Sequence, residues 1–223
     1  MLNVFIGVDP RQPVAYHVLC SSIQRRSSKP VAFIPLLIDQ LPITRKGLTD
    51  FTFARYLVPW LCGYHGKAVF LDSDMLVLGD ITELFDEKYD SAVSVVPFGG
   101  SLQFERPSVM VFNCDMCGDL TPSYIDNHQS NPQSFEWALS IGRLPLEWNY
   151  LVGYSAPMAD VKLIHYTQGV PGYLECRMCE YADEWFAEKE AMNSHVSWLE
   201  IMGESVHAQP VLNRLKRVMN ANQ

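Results

Sequence analysis

Two aspartates one residue apart, Asp72 and Asp74, close one apolar run, Ala68-Val69-Phe70-Leu71, and open another that begins at Met75. Four apolar residues in a row leave no polar face, which predicts a central strand buried on both sides. In open α/β sheets ligands bind beyond the carboxyl ends of the strands, and both carboxylates stand at such an end. Anionic oxygens this close repel unless a cation lies between them, so the spacing points to Mg²⁺ or Mn²⁺ bridging to a diphosphate. A surface turn in which aspartate caps local backbone is the competing reading of a bare D-x-D. The apolar runs on both sides weigh against it.

The elements that must hold these carboxylates read as alternating strand and helix, the pattern of an α/β sheet. Residues 2–8 form a nearly all-apolar first strand, broken by Asp9-Pro10-Arg11. Pro13 suits a first helical turn, and Val14, Val18, Leu19 and Ile23 recur at helical spacing. A strand over 31–38 and a buried helix over 51–62 precede the central strand, and strands over 91–96 and 109–112 follow it. Short helices are expected over 122–127 and 135–141, a last inner strand over 161–164 ending at His165, and amphipathic helices over 183–202 and 210–220. The 223 residues, 48% hydrophobic, suit one domain with a sizeable core.

Asp and Glu number 25 against 17 Lys and Arg, a net charge of −8, which argues against non-specific nucleic-acid binding and requires a local cation for any anionic substrate. No apolar run reaches the length of a membrane span, and the N-terminus carries no signal-like pattern, so a cytoplasmic protein is expected. Cys114 with Cys117, and Cys176 with Cys179, form two C-x-x-C pairs separated by 58 residues. They could make a four-thiolate Zn²⁺ site, although that separation far exceeds the usual ribbon spacing. Reduced thiols packed in a core are the alternative.

The run FLDSDMLVLGDITELF, with FTFARYLVP ahead of it and HYTQGVPGY late in the chain, resembles the retaining glycosyltransferases of family 8, the glycogenin and lipopolysaccharide galactosyltransferase group. The resemblance implies a single GT-A domain over residues 1–223, with a mostly parallel central sheet, helices on both faces and C-terminal helices. It also implies a hexosyltransferase that uses Mn²⁺, or Mg²⁺, and a nucleotide-diphosphate sugar, usually a UDP-sugar. A glycan, lipid-linked or protein acceptor would receive the sugar. By the same resemblance Asp72, Asp74 and His165 would hold the metal, and two carboxylates with an imidazole suit Mn²⁺ better than Mg²⁺. Arg55, 17 residues before Asp72, falls where the family places a basic residue near donor sugar and diphosphate, and with Asp74 it is a candidate catalytic residue. Its alternative is a solvated helix face. Gly7, Val8, Asp9 and Arg11 match the loop that holds the nucleoside. Ser73, Ser108 and Gly169 are further candidates for donor contacts, and Asn113 flanks the same strand as Ser108.

The chain also departs from that pattern. Pro171 and Gly172 stand where the family carries a lysine on the diphosphate, and Arg177 or the amides of residues 169–172 are possible replacements. The base-stacking aromatic is missing, with Tyr16 a weak substitute. Glu136, Glu147 and Asn149 are candidates for the groups ahead of the acceptor, and Trp148 is either a sugar platform or core. Two other classes stay open: a non-catalytic nucleotide-sugar binder, and a haloacid dehalogenase-like phosphatase, whose first aspartate is a nucleophile.

Overall fold

The computed structural model describes residues 1–192 and 196–221. It divides into two compact units, Met1–Glu188 and Lys189–Gln223.

The first unit opens with β1 (Leu2–Gly7), α1 (Pro13–Arg26) and β2 (Val31–Leu36). Pro13 pre-sets helical φ where its missing N–H costs nothing, and Arg25 and Arg26 sit in the last turn, near the negative end of the helix dipole. The buried face of α1 is Ala15, Val18, Leu19, Ser22 and Ile23, whereas Val14 is exposed. Residues 51–62 are not one helix. A 3₁₀ turn over Ala54–Leu57 runs into a single α-turn, α2 (Val58–Leu61), because Pro59 lacks the N–H that a continuous helix would bond to the Arg55 carbonyl.

Next come β3 (Lys67–Asp72), β4 (Met75–Val77), β5 (Val93–Val95), β6 (Val109–Asn113) and α3 (Pro122–Asp126). They are followed by β7 (Ile141–Arg143), β8 (Tyr150–Leu151), β9 (Leu163–His165) and α4 (Ala182–Ala191). The helix expected over 135–141 does not form. Phe135 takes a left-handed φ of 61°, the Trp137 indole N–H donates to the Pro132 carbonyl at 2.9 Å, and Ile141 already belongs to a strand. Burial decides this segment, since Trp137 stacks on Phe112 with centroids 6.2 Å apart and Phe135 is 2% exposed.

A six-stranded sheet runs in the order β2-β1-β3-β6-β5-β7 and a three-stranded one in the order β4-β9-β8. In the larger sheet β1 is parallel to β2 and β3, and β5 to β7, while β6 is antiparallel to both its neighbours. Alternate residues of the central strands serve opposite faces. Val4, Ile6, Val69, Leu71, Val109 and Val111 pack with Leu19 and Ile23 of α1. Phe5, Ala68, Phe70, Met110 and Phe112 pack with Tyr56, Leu57 and Val58 around α2. Helices therefore cover both faces, which is why the middles of these strands are wholly apolar. Truncating Phe70 or Phe112 to alanine would cost about 3–5 kcal/mol.

In the second unit α5 (Trp198–Met202) starts on a capping box between Ser197 and Glu200, and α6 (Ala208–Ala221) follows.

Candidate active site

Asp72 ends β3 on the face that also carries Phe70, and the strand register sets Gly7 of β1 directly beside it. After Asp72 the chain leaves the large sheet. It resumes as β4 in the small one, where Met75 pairs with His165 and the Tyr166 N–H donates to the Asp74 carbonyl at 2.9 Å. One ligand atom each from Asp72, Asp74 and His165 lies within 4.8 Å of the others. Oδ1 of Asp72 and Oδ1 of Asp74 are buried without a hydrogen-bond partner. Two buried carboxylate oxygens without a hydrogen bond, that of Asp72 facing Arg55 Nη2 alone, and an imidazole nitrogen fit a divalent cation, the group that would satisfy all three at once.

Hydrogen bonds fix which nitrogen His165 can offer. The Ser108 hydroxyl donates to the Glu105 carbonyl, and its oxygen accepts from Asn149 Nδ2 at 2.9 Å. That orients the Asn149 amide so that Oδ1 faces His165 Nδ1, 3.1 Å away. An amide oxygen only accepts, so the contact holds a proton on Nδ1 and makes Nε2, 3.4 Å from Asp74 Oδ1, the nitrogen that is free to exchange its own proton for a cation. His165 is 2% exposed and Asn149 1%.

Arg55 is buried, not a solvated residue. Its Nη1 donates to the Pro107 carbonyl at 2.7 Å, its Nη2 stands 3.0 Å from Asp72 Oδ1 as an ion pair off hydrogen-bond alignment, and its guanidinium lies over the Phe70 ring at 4.9 Å. Burial pushes the Asp72 carboxyl up to about 7, with Arg55 pulling against it and Asp74 adding to it. For His165, burial works to lower the pKa, but the carboxylates of Asp74, Asp72 and Glu105 outweigh it and the net shift is upward. Glu105 is raised mainly by its own burial. All these groups line one cleft of 250 Å³ with Phe51, Pro107 and Thr167.

The remaining candidates fall into two sets. Near the cleft, Gly7 is required for close approach, since an added Cβ would meet the Phe51 ring at 2.5 Å. Asp9 is tied to Arg11 through Arg11 Nη2 at 2.6 Å and the Arg11 backbone N–H at 2.9 Å, and that side-chain pairing holds its carboxyl below the usual range. Ser73 is buried between the two carboxylates with its hydroxyl unsatisfied, and Ser108 belongs to the relay. Gly169 needs its φ of 118°, its N–H is already bonded to the Tyr166 carbonyl, and it lines the cavity of Cys176 and Cys179 instead of the cleft. Nearby, the Tyr173 hydroxyl donates to Gln12 Oε1 at 2.9 Å, tying the segment after His165 to the loop after β1.

Others lie elsewhere. Asn113 pairs with Lys67, at the opposite end of β3 from Asp72, so it does not flank the site. Trp148 is 1% exposed within the core and offers no sugar platform. Arg177 lies over the Phe186 ring at 5.2 Å and does not line the cleft. The two C-x-x-C pairs do not converge either. Cys114 and Cys117 are buried in the core on the α2 face, Cys176 and Cys179 line a separate cavity, and among the described residues the metal-ligating group is Asp72, Asp74 and His165. The sequence reading missed Glu105 and the Pro107 carbonyl. Its only signal was their place just ahead of a buried strand in a segment with no helix or strand pattern.

No family model matches the chain. It is 34% identical over 227 residues to Protein CDI of Arabidopsis thaliana, covering 86% of this chain and 87% of that one. Among solved structures it is similar to the bifunctional glycosyltransferase WbbM, with a TM-score of 0.63 and 17% identity over 90% of this chain, which spans 50% of that protein. It is also similar to the glycosyltransferase GlyE of Streptococcus pneumoniae TIGR4, with a TM-score of 0.62 and 17% identity over 88% of this chain and 61% of that one. For an active-site mutant of LgtC the TM-score is 0.61 at 12% identity, over 89% of this chain and 99% of that one. At such identities the likeness establishes the fold, a GT-A α/β architecture. The chain belongs to the family of the Arabidopsis Protein CDI.

Proposed function

We propose that the chain is a metal-dependent hexosyltransferase of the family 8 type, moving a sugar from a nucleotide-diphosphate sugar, a UDP-sugar, to an acceptor hydroxyl with retention of configuration. The observation that carries this reading is the convergence of Asp72, Asp74 and His165, with two carboxylate oxygens unsatisfied, in a cleft that also buries Arg55. The fold supports it. So does the occurrence among similar structures of the galactosyltransferase LgtC in complex with donor and acceptor sugar analogues, at a TM-score of 0.59 and 13% identity.

Asp72, Asp74 and Nε2 of His165 would hold the cation, and this mixed donor set favours Mn²⁺ over Mg²⁺. Bound there, it would supply Lewis-acid neutralisation of the diphosphate leaving group. The chain's own residues do the rest. Arg55 favours the ionised form of Asp72 against the effect of burial and adds positive charge at the cleft wall. Gly7, Val8, Asp9 and Arg11 lead away from the strand edge beside Asp72 and receive the nucleoside. Ser73, between the two carboxylates with its hydroxyl unsatisfied, is a further donor contact, whereas Ser108 acts through Asn149 and His165 and Gly169 borders a separate cavity. Glu105 adds a buried carboxylate to the same cleft, the charge that would offset positive charge growing on the sugar ring.

Transfer is read as a front-face step. The acceptor oxygen bonds to the anomeric carbon as its bond to the diphosphate breaks, and the acceptor proton passes to the departing phosphate oxygen. One observation favours a second route. Glu105 is a buried carboxylate in the same cleft, and a double displacement would use it as nucleophile. The phosphatase reading has no support in a GT-A fold. Among the described residues no helix is long and apolar enough to cross a membrane.

The test is a panel of nucleotide-sugars screened by thermal shift with and without Mn²⁺, followed by transfer assays and NMR assignment of the product anomer. A UDP-hexose should raise the melting temperature only with Mn²⁺. A protein stabilised but without turnover would be a binder, and one that no nucleotide-sugar stabilises would end the reading.

A further inference from the structure

Arg106 and Arg143 line one cavity of 350 Å³, between the segment after β5 and the edge strand β7. Neither guanidinium forms an ion pair among the described residues, although Asp and Glu outnumber Lys and Arg by 25 to 17. Arg106 lies over the Phe135 ring at 5.0 Å, and Arg143 is exposed. Two like charges at one cavity repel, and a planar carboxylate or a phosphate relieves that repulsion with directed hydrogen bonds.

The backbone makes this cavity a neighbour of the cleft. Glu105 and Pro107 line the cleft with Asp72 and Asp74, and Arg106 between them lines the cavity, so three consecutive residues form a shared wall. On the other side Phe98 also borders a second cavity of 370 Å³ with Leu146, Ala156, Pro157 and Met158, whose walls are apolar apart from Ser155. A cationic cavity therefore sits between the metal-ligand cleft and an apolar one.

We propose that Arg106 and Arg143 bind the acidic group, carboxylate or phosphate, of a saccharide acceptor whose apolar substituent lies against Phe98 and Leu146. The assignment as acceptor rests on the transferase reading above. The binding of an acidic glycoside does not.

Three ligands that differ in one group test it: 4-nitrophenyl β-D-glucoside, 4-nitrophenyl β-D-glucuronide and the 6-phosphate of the glucoside, titrated at fixed ionic strength by ligand-observed NMR. At least one acidic glycoside should bind about tenfold or more tightly than the neutral one, and comparison of the two acids tells carboxylate from phosphate. In Arg143→Ala the acidic glycosides should fall to the affinity of the glucoside, which itself should bind both proteins alike. Free glucuronic acid should bind more weakly than the nitrophenyl glucuronide. Equal binding of the three glycosides by the natural chain, or a preference that survives in Arg143→Ala, would overturn the proposal, and a glucuronic acid as tight as its glycoside would remove the apolar half. Absence of Mn²⁺-dependent UDP binding would sink the transferase reading and still leave the comparison of glycosides decisive for this cavity.

Discussion

Replacing Asn149 with leucine isolates the device that prepares His165. Leucine is no smaller than asparagine, so no cavity opens, but the acceptor at 3.1 Å from His165 Nδ1 and the donor to Ser108 at 2.9 Å both vanish. His165 is 2% exposed and finds no water to replace the lost partner. If the proton stays on Nδ1, the ring must turn toward the Glu105 carboxylate, 3.7 Å from that nitrogen, or leave a buried donor unsatisfied at about 1–3 kcal/mol, and in either case its present orientation is lost. If it moves to Nε2, the carboxylate of Asp74 at 3.4 Å accepts it and the lone pair that would hold a cation is lost. Both routes weaken metal binding, and outer-shell partners of histidine ligands are typically worth about 10–100-fold in affinity. That corresponds to roughly 1.4–2.7 kcal/mol. Titration of Mn²⁺ into the metal-free protein, read by the EPR signal of the free ion at neutral pH, measures the change without requiring a substrate. Asn149→Asp restores an acceptor to Nδ1 and should retain more of the affinity. A leucine variant that unfolds like the natural chain and binds Mn²⁺ as tightly would refute the relay.

The other tests are simpler. Asp74→Asn should abolish metal-dependent turnover while moving the metal-free unfolding midpoint little, because the relief of its repulsion with Asp72 is offset by the lost attraction to His165; full activity in Mn²⁺ would end the metal reading. Arg55→Ala strands the Asp72 charge, and breaking a buried pair costs about 3–5 kcal/mol, so urea unfolding should show that loss at alkaline pH and a smaller one where Asp72 can protonate. In the metal-free protein both Asp72, pushed up to about 7, and His165, also raised, bind protons more tightly when folded, so stability should fall as pH rises through neutrality. A cation replaces the proton, so the stabilisation given by a fixed Mn²⁺ concentration over EDTA should grow across the same range, and a flat difference by scanning fluorimetry would contradict this. Gly7→Ala forces the Phe51 ring aside and should cost about 1–3 kcal/mol together with nucleotide affinity, both measurable by thermal shift.

The parts of this architecture that were legible in the sequence are those where one physical demand dominates. Residues 68–71 must be buried on both faces, so the strand and the carboxylates that end it could be placed without the structure. His165 could be placed at a strand end because an apolar run stops there, and only the family resemblance tied it to the two carboxylates. Residues 135–141 were misread because their apolar spacing fits a helix, whereas burying Phe135 and Trp137 against Phe112 requires a left-handed turn that no local propensity announces. Arg55 was legible as a candidate but not as a buried one, since its partners lie 17 and 52 residues away. Glu105, Pro107 and Asn149 act through contacts across the fold, and such contacts leave no periodicity to read.

The passage of the chain from the large sheet to the small one within Ser73 and Asp74 also bears on how such a protein can diverge. Asp72 is the last residue of one ladder, Asp74 precedes the first of the next, and His165 lies opposite Met75. All three side chains hang from a single seam only a few residues wide, so their spacing is set by two short strand pairings and is indifferent to loop length elsewhere. The surrounding walls, apart from Arg55 on Asp72, come from segments 48–52 and 104–107 and from Gln133 and Thr167, which no ladder constrains. Insertions or exchanges there can recut the pocket for a new sugar or a new acceptor without touching the seam, a division of labour that lets specificity drift quickly around a centre that scarcely moves.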